Sequence, residues 1–355
     1  MSNVTLIDPV RDPRWDKFVE KHPFGWITHL SGWKEVLENS FPHMKGYYLA
    51  LLDNEKDDIK AALPVFEVKS WLTGNRLVSV PFATLCDPLI STHDDMEELL
   101  DAAINLSKEL RATYIEVRTF MSAPLIYNGR LANHNFYKHH YLSLEREPEE
   151  LKKSFHRTCI RKKIKRALNS NLNLKVGNNK SDLLCFYQLY VQTRKRLCLP
   201  PMPYRFFEQL WEIFYPAKKI TLLLAEQKEK NIAGLILFRF NNMFSAEILA
   251  SDHTFREVSP DHFLYWEAIN LAYSEGFKIF SFGRTSSFHK TLMDFKNRWG
   301  TTIIDLPQFY YPREKNKRLE CSENSIGYRI IKKICRKAPD STIRYIGDFC
   351  YRHLS

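Results

Sequence analysis

The sequence predicts an α/β protein, with α+β character, built as two domains of one kind and closed by a basic helical tail. Three observations predict it: a length suited to two domains, a series of strands and a helix that occurs twice, and a positive charge confined to two segments. The chain has 355 residues, about two domains' worth. Hydrophobic residues make up 44% and aromatics 14%, enough to bury real cores and to exclude global disorder. No apolar run approaches the ~20 residues that span a bilayer. The first residues, Met1 to Trp15, show no basic stretch leading into an apolar one, so no secretory signal is expected. The seven cysteines are odd in number and scattered without a CxxC pair, which argues against a disulfide framework or zinc cage and for a reducing cytoplasm.

The formal net charge is +11. Residues 1–150 hold 16 Lys and Arg against 23 Asp and Glu, whereas residues 151–180 hold 10 against none. Residues 181–312 are close to balance, with 15 against 13, and residues 313–355 hold 11 against 5. A charge concentrated in this way fits a localised anionic partner such as RNA, a phosphorylated substrate or a membrane surface. A solvated basic helix is the plainer alternative.

The repeat is read element by element. Residues 48–66 and 221–238 each give an apolar run, a charged turn and a second apolar run, the pattern of a β-hairpin buried on both faces. More strand-like sequence follows in both copies, then a helix. Ala103-Ile104-Asn105-Leu106 in the first helix recurs as Ala268-Ile269-Asn270-Leu271 in the second. Asp94 and Asp95 are expected to cap the first helix, and Ser259 before Pro260 the second. Gly276 is the expected C′ residue of the second. Each helix leads into a further strand, Thr113–Arg118 and Lys278–Arg284. Domain one is expected to end near residue 150, domain two at 312, and the tail to run from 313 to 355.

The order hairpin, strand, helix, strand resembles the GNAT acyltransferase fold, and two such units in tandem resemble the FemAB family. The resemblance covers roughly residues 10–312. Its most specific stretch runs from Phe280-Ser-Phe-Gly-Arg-Thr-Ser286 to Leu292-Met-Asp-Phe-Lys-Asn-Arg-Trp-Gly300. Trp33, the Val80-Pro81-Phe82-Ala83 run, Tyr114 to Arg118, Phe186 to Tyr190, Thr193 to Arg196 and the segment Arg161 to Ala167 also match. The resemblance implies two GNAT-like domains with mixed sheets flanked by helices, and transfer of an acyl or aminoacyl group to an amine of a cell-envelope precursor such as peptidoglycan or a related glycan. It implies charged tRNA as donor, with acyl-CoA or an acyl carrier as the alternative.

Acyl-CoA enzymes of this fold hold the donor's pyrophosphate on glycine-rich amides at a helix start. Here the corresponding positions, Phe255 to His262 and Ser91 to Met96, contain no glycine, and Pro260 lacks an N–H. That speaks for a donor held elsewhere.

By the same resemblance, Lys296 lies beside the reacting ester, where it would stabilise the developing oxyanion or the leaving hydroxyl; a surface lysine is the alternative. Arg284 follows Gly283 at a strand end and reads either as an anion ligand or as the partner of Asp294 or Glu275. Asp252 reads as an acceptor of the amine proton or as a turn former. Arg196 matches the position that holds the diphosphate of a peptidoglycan precursor, and Trp33, Arg118 and Tyr204 join it as substrate-binding candidates. No clear counterpart exists for the first-domain lysine that helps bind the precursor; it would fall near Leu37, with Lys34 close by.

Residues 151–168 read as one basic helix. Phe155, Ile160, Ile164, Ala167 and Leu168 form its apolar stripe. Arg157, Arg161, Lys162, Lys165 and Arg166 face the other way, suited to RNA phosphates or to an acidic domain. In the tail, Ile326, Ile330, Ile334 and Ala338 recur every four residues among lysines and arginines, a basic amphipathic helix for an anionic membrane surface or for packing on domain one. The histidines show no metal spacing, so neither a metal nor a cofactor is expected. A non-catalytic RNA or membrane adaptor is the third reading of the chain.

Overall fold

The computed structural model describes residues 4–53, 58–126, 129–313 and 326–353. Two compact units emerge: Met1–Phe136 with Asp305–Tyr328 and Phe349–Ser355, and Tyr137–Ile304 with Arg329–Asp348. Elements are numbered along the chain.

In unit 1 the strand order is β1 (Val4–Ile7), β2 (Met44–Leu52), β3 (Ile59–Ser70), β4 (Gly74–Ser79), β5 (Ile115–Arg118) and β12 (Thr302–Tyr311). Neighbours run antiparallel except β4 and β5. Successive side chains of a strand point to opposite faces, and both faces are covered. Leu49, Leu51, Leu63 and Val65 form a core with Met96, Leu99, Leu100 and Ala103 of helix α3 (His93–Glu109). On the alternate positions, Tyr48 meets Trp15 of α1 (Arg14–Lys21) with ring centres 5.0 Å apart. Trp33 of α2 (Ser31–Ser40) is fully buried. The cap of α3 is Thr92 rather than Asp94 or Asp95: Thr92 Oγ1 accepts from Asp95 N, and the Asp95 carboxylate accepts from Thr92 N at 2.9 Å, a reciprocal capping box.

Unit 2 repeats the plan. Its strand order is β6 (Ala132–Ser143), β11 (Ile279–Ser286), β10 (Met243–Ser251), β9 (Lys230–Phe240), β8 (Ile220–Gln227) and β7 (Asn173–Gly177), with β10 and β11 parallel. One face is covered by α8 (Pro260–Ser274) and α5 (Lys162–Leu168), whose Phe263, Leu264, Ile164 and Ala167 join Leu223, Leu235 and Phe244. The helices α6 (Lys180–Arg196) and α7 (Tyr204–Phe214) pack on the other face, where Gly234 of β9 meets Phe186 of α6. A Cβ at Gly234 would lie 2.7 Å from the Phe186 ring, so only glycine lets α6 settle on β9. Thus β2-β3-β4-α3-β5 is matched by β8-β9-β10-α8-β11, as the repeat predicts. Gly276 follows α8 at φ +82°, the expected left-handed C′ position.

The expected single helix over 151–168 is broken. Helix α4 (Pro148–Ser154) stops, a π turn spans Arg157–Arg161, and α5 follows. Phe155 leaves the helix in extended conformation and is buried against Trp299, 5.3 Å away. The His156 imidazole then accepts from Cys159 N and starts the next turn.

The tail holds α10 (Ile326–Lys337) and α11 (Asp340–Tyr351) after a stretch outside the described residues, which includes Cys321. The apolar stripe expected on α10 divides: Cys335 and Ala338 are buried, whereas Ile330 and Ile334 are about half exposed. In unit 2, Ile343 of α11 is fully buried and Arg344 lies over the Tyr187 ring at 5.5 Å. In unit 1, Tyr351 packs on Phe41 and Phe82. Among the described residues, no helix is long and apolar enough to cross a membrane.

Candidate active site

The parallel strands β10 and β11 pair through only three residues each, ending at Ser245 and Ser281. Both strands then bulge. On β10 the extra residue is Glu247, between the pairs Ala246–Leu237 and Ile248–Ile236 with β9. On β11 it falls at Phe282 and Gly283, between the pairs Ser281–Tyr141 and Arg284–His139 with β6. A bulge bends its strand and redirects a side chain, and two of them on adjacent strands part the pair.

A polar chain lies where they part. The Ser245 hydroxyl is 2.7 Å from Glu247 Oε1 and 2.9 Å from the Ser281 hydroxyl. Ser281 Oγ is 3.0 Å from His139 Nε2 and accepts from Gly283 N at 3.0 Å. Burial first, then Lys296 and His140, pull His139 down to about 3, so its ring is neutral. The consistent proton order has His139 donating to Ser281, Ser281 to Ser245, and Ser245 to the Glu247 carboxylate.

Lys296 closes the group. It sits on α9 (Lys290–Asn297), is 4% exposed, and donates from Nζ to the carbonyls of Gly283 and Arg284 at 3.0 and 3.1 Å. Burial pulls its ammonium down to about 7, with Glu247 opposing. As a cation it keeps a third N–H beyond those two bonds. Thr285, on β11, is buried and its hydroxyl has no hydrogen-bond partner among the described residues.

Of the other residues singled out in the sequence, Arg284 is joined to Lys296 through its carbonyl, and its guanidinium lies 4.8 Å over the Tyr137 ring. Glu275 is paired with Arg239. Asp252 follows β10 and caps the turn His253–Val258, accepting from the Thr254 amide and hydroxyl, with Lys230 3.0 Å away. Burial raises its pKa, but the Thr254 bonds and Lys230 outweigh that and hold the carboxyl below the ordinary range. Arg196, at the end of α6, reaches His253 Nδ1 at 2.8 Å, so it shares a corner with Asp252. Tyr204 opens α7 against the Tyr187 ring.

Trp33 and Arg118 belong to unit 1. Arg118 is buried, 2.6 Å from Glu116, and also donates to the Val80 carbonyl. The parallel pair β4 and β5 ends at Val78 and Glu116. Next to it the Ser79 hydroxyl donates to the Glu116 carbonyl and accepts from Arg118 N. The place that opens in unit 2 is therefore filled in unit 1 by Ser79 and an internal ion pair.

The start of α8 is unsuited to a pyrophosphate. Ser259 is left-handed at φ +57°, Pro260 has no N–H, and the amides of His262 and Phe263 are bonded to the Ser259 carbonyl. The Asp261 carboxyl occupies the first turn, and burial raises its pKa. Nearby, Arg157, Lys162, Lys165 and Arg166 are exposed and Arg161 is half-buried. Arg166 makes a loose contact with Glu257 at 3.9 Å. Among the described residues no three of His, Cys, Asp and Glu gather as metal ligands.

Ser245, Glu247, Ser281 and His139 were not among the residues expected from sequence. The one available signal was the pair of polar residues, Ser245 and Glu247, at alternate positions of an apolar strand.

Residues 154–296 match a family described as an acetyltransferase (GNAT) domain. Among solved structures, FemX superposes with a TM-score of 0.70 at 16% identity, covering 93% of this chain and 99% of its own. L-PGS from Bacillus licheniformis gives 0.57 at 13%, covering 92% and 98%. A tandem GNAT protein from the clavulanic acid biosynthesis pathway gives 0.55 at 9%, covering 87% and 98%. No curated protein matches the sequence. Residues 154–296 are thus a GNAT acetyltransferase-type domain lying in the second unit, and the chain as a whole has the fold of FemX and of the tandem GNAT protein.

Proposed function

We propose that the enzyme moves an aminoacyl group from charged tRNA to an amine of a cell-envelope precursor, a peptidoglycan or related glycan, presented at the inner face of the membrane. The observation that carries the reading is Lys296, buried where β10 and β11 part, with one N–H to spare. The acceptor amine attacks the ester carbonyl of the donor. A C–N bond forms, the carbonyl oxygen becomes negative, and the third N–H of Lys296 meets it. Glu247 takes the proton lost by the amine. The C–O bond then breaks, and a proton returns to the departing ribose oxygen. No covalent enzyme intermediate is needed.

Two features support tRNA as donor. The exposed cations Arg157, Lys162 and Lys165, with Arg161, have no carboxylate partner among the described residues, so they are available to phosphates. The start of α8 offers no amide cradle for a diphosphate. The candidates for holding the acceptor are Arg196 and Tyr204 within unit 2 or Trp33 and Arg118 within unit 1. A second reading, acyl-CoA or an acyl carrier as donor, is favoured by the parted edges of β10 and β11, which suit an extended amide-bearing arm.

The experiment is direct. The purified protein is given charged tRNAs, then a panel of acyl-CoAs, each with membrane extract, and loss of the acyl group is recorded. Deacylation of tRNA dependent on the extract supports the reading. Deacylation of CoA alone overturns the choice of donor, and loss from neither overturns the reading.

A further inference from the structure

The turn joining β3 to β4 in unit 1 carries Trp71 at 81% and Leu72 at 61% exposure. Leaving these side chains in water forgoes the stabilisation that burying them would give. The turn is also well held. Ser70 Oγ accepts from the amides of Leu72 and Thr73 and lies 2.8 Å from His353 Nδ1. Arg76 Nη2 donates to the His353 carbonyl at 3.0 Å. The His353 ring stands edge-on to Trp71 at 5.3 Å and to Phe349 at 5.2 Å. Phe349 is itself 53% exposed, and Tyr345, one turn earlier on α11, is 74% exposed. A fixed tip of large apolar side chains thus stands in solvent.

Its charged company is basic. Arg352 is exposed beside Phe349 and, among the described residues, has no carboxylate partner. Asp348 is the one exposed carboxylate of α11 among the described side chains. The other tail helix repeats the combination, with Ile330 and Ile334 half exposed among Lys333, Arg336 and Lys337. Residues 313–355 together hold 11 Lys and Arg against 5 Asp and Glu.

We infer that Trp71, Leu72 and Phe349 form a docking tip for an anionic lipid membrane. Tryptophan settles at the headgroup level of a bilayer with its ring in the acyl boundary, and cations beside it meet anionic headgroups. A protein partner would favour a broad apolar centre depleted in charge; a protruding aromatic turn flanked by arginine suits a soft phase. The purpose assigned to this surface rests on the reading of a membrane-presented acceptor, whereas its geometry is independent of it.

The test uses the full chain and vesicles of phosphatidylcholine, alone or with phosphatidylglycerol, in sedimentation. Binding is expected with phosphatidylglycerol only, weakening with salt. Trp71→Ala with Leu72→Ser should lower it about tenfold or more, whereas Val10→Ser, an exposed apolar residue elsewhere in unit 1, should leave it unchanged. Equal binding by the double variant, equal binding to neutral vesicles, or no binding overturns the inference. So does loss of self-association in the double variant without loss of vesicle binding, which would mean a second copy covers the tip. Donor deacylation is assayed in parallel. Vesicle binding without transfer overturns only the proposed function, and transfer without vesicle binding overturns only the docking tip.

Discussion

The amine of Lys296 lies 3.0 Å from the carbonyl oxygen of Gly283, a residue held at φ +69°. The bulge of β11 turns that carbonyl toward α9, and the lysine is the donor that satisfies it. A buried ammonium is costly unless hydrogen-bonded, which is why two carbonyls hold it and why it still loses its proton readily. If the charged form stabilises the oxyanion, transfer falls as pH rises through about 7. Lys296→Met should cost roughly 10²- to 10³-fold in kcat, the size of a lost oxyanion donor, and abolish that pH dependence. A pH profile of single-turnover transfer checks both.

The same lysine sets a stability trend. Its folded pKa, about 7, lies below its ordinary value of 10.5. Between those values the unfolded chain binds the extra proton, so this group makes stability rise with pH across that window and fall again as pH drops toward 7. Denaturant unfolding at several pH values should show the slope in the wild type and its loss in Lys296→Met.

Gly283→Ala tests the bulge itself. A φ of +69° costs a residue with a Cβ about 1–2 kcal/mol. The variant should lose about that much stability and more activity than the loss of folded protein explains, because the carbonyl that positions Lys296 shifts. Thermal melts and kcat measured on the same preparation separate the two effects.

Glu247→Gln removes the carboxylate at the end of the Ser245–Ser281–His139 chain but keeps an acceptor for Ser245. It should lower kcat by 10²-fold or more, the usual contribution of a general base, with KM nearly unchanged. A fall in KM-related binding with kcat intact would mean that Glu247 positions the acceptor instead.

The contrast between what the sequence revealed and what it hid follows from pattern. The two hairpins and the helices bearing Ala103–Leu106 and Ala268–Leu271 were legible because buried strands and amphipathic helices have periods. The strands β6 and β12 were not, because β6 reads as polar sequence from Asn133 to His140. Its adjacent histidines point to opposite faces, His139 to Ser281 and His140 to Thr301, which no spacing rule suggests. Beyond its polarity in an apolar strand, Glu247 gave no sign of its place in the site, because a bulge is a mismatch between two strands and leaves no mark on either one alone. The break at Phe155 was hidden because its side chain fits a helical stripe equally well.

The basic segment predicts a salt signature. Lys162 and Lys165 are exposed, and each phosphate contact contributes about one to the slope of log affinity against log salt. Replacing both by alanine should weaken tRNA binding for every tRNA sequence and lower the magnitude of that slope by about two. Deacylation of a short aminoacyl-nucleotide donor, too small to reach the segment, should be unaffected. Filter binding over a range of salt settles the matter.

Arg118 separates a structural from a substrate role in unit 1. Burial lowers its pKa and Glu116 more than restores it, so the guanidinium stays charged, and its bonds to Glu116 and the Val80 carbonyl lie within the fold. Arg118→Met strands the Glu116 carboxylate in a buried site, where an unpaired charge costs about 3–5 kcal/mol. Adding Glu116→Gln removes that charge and should recover most of the loss. If Arg118 serves the fold, the double variant regains stability and keeps a normal KM for the acceptor. A double variant that is stable but has a raised KM would show instead that the guanidinium reaches the substrate, and that unit 1 takes part in holding it.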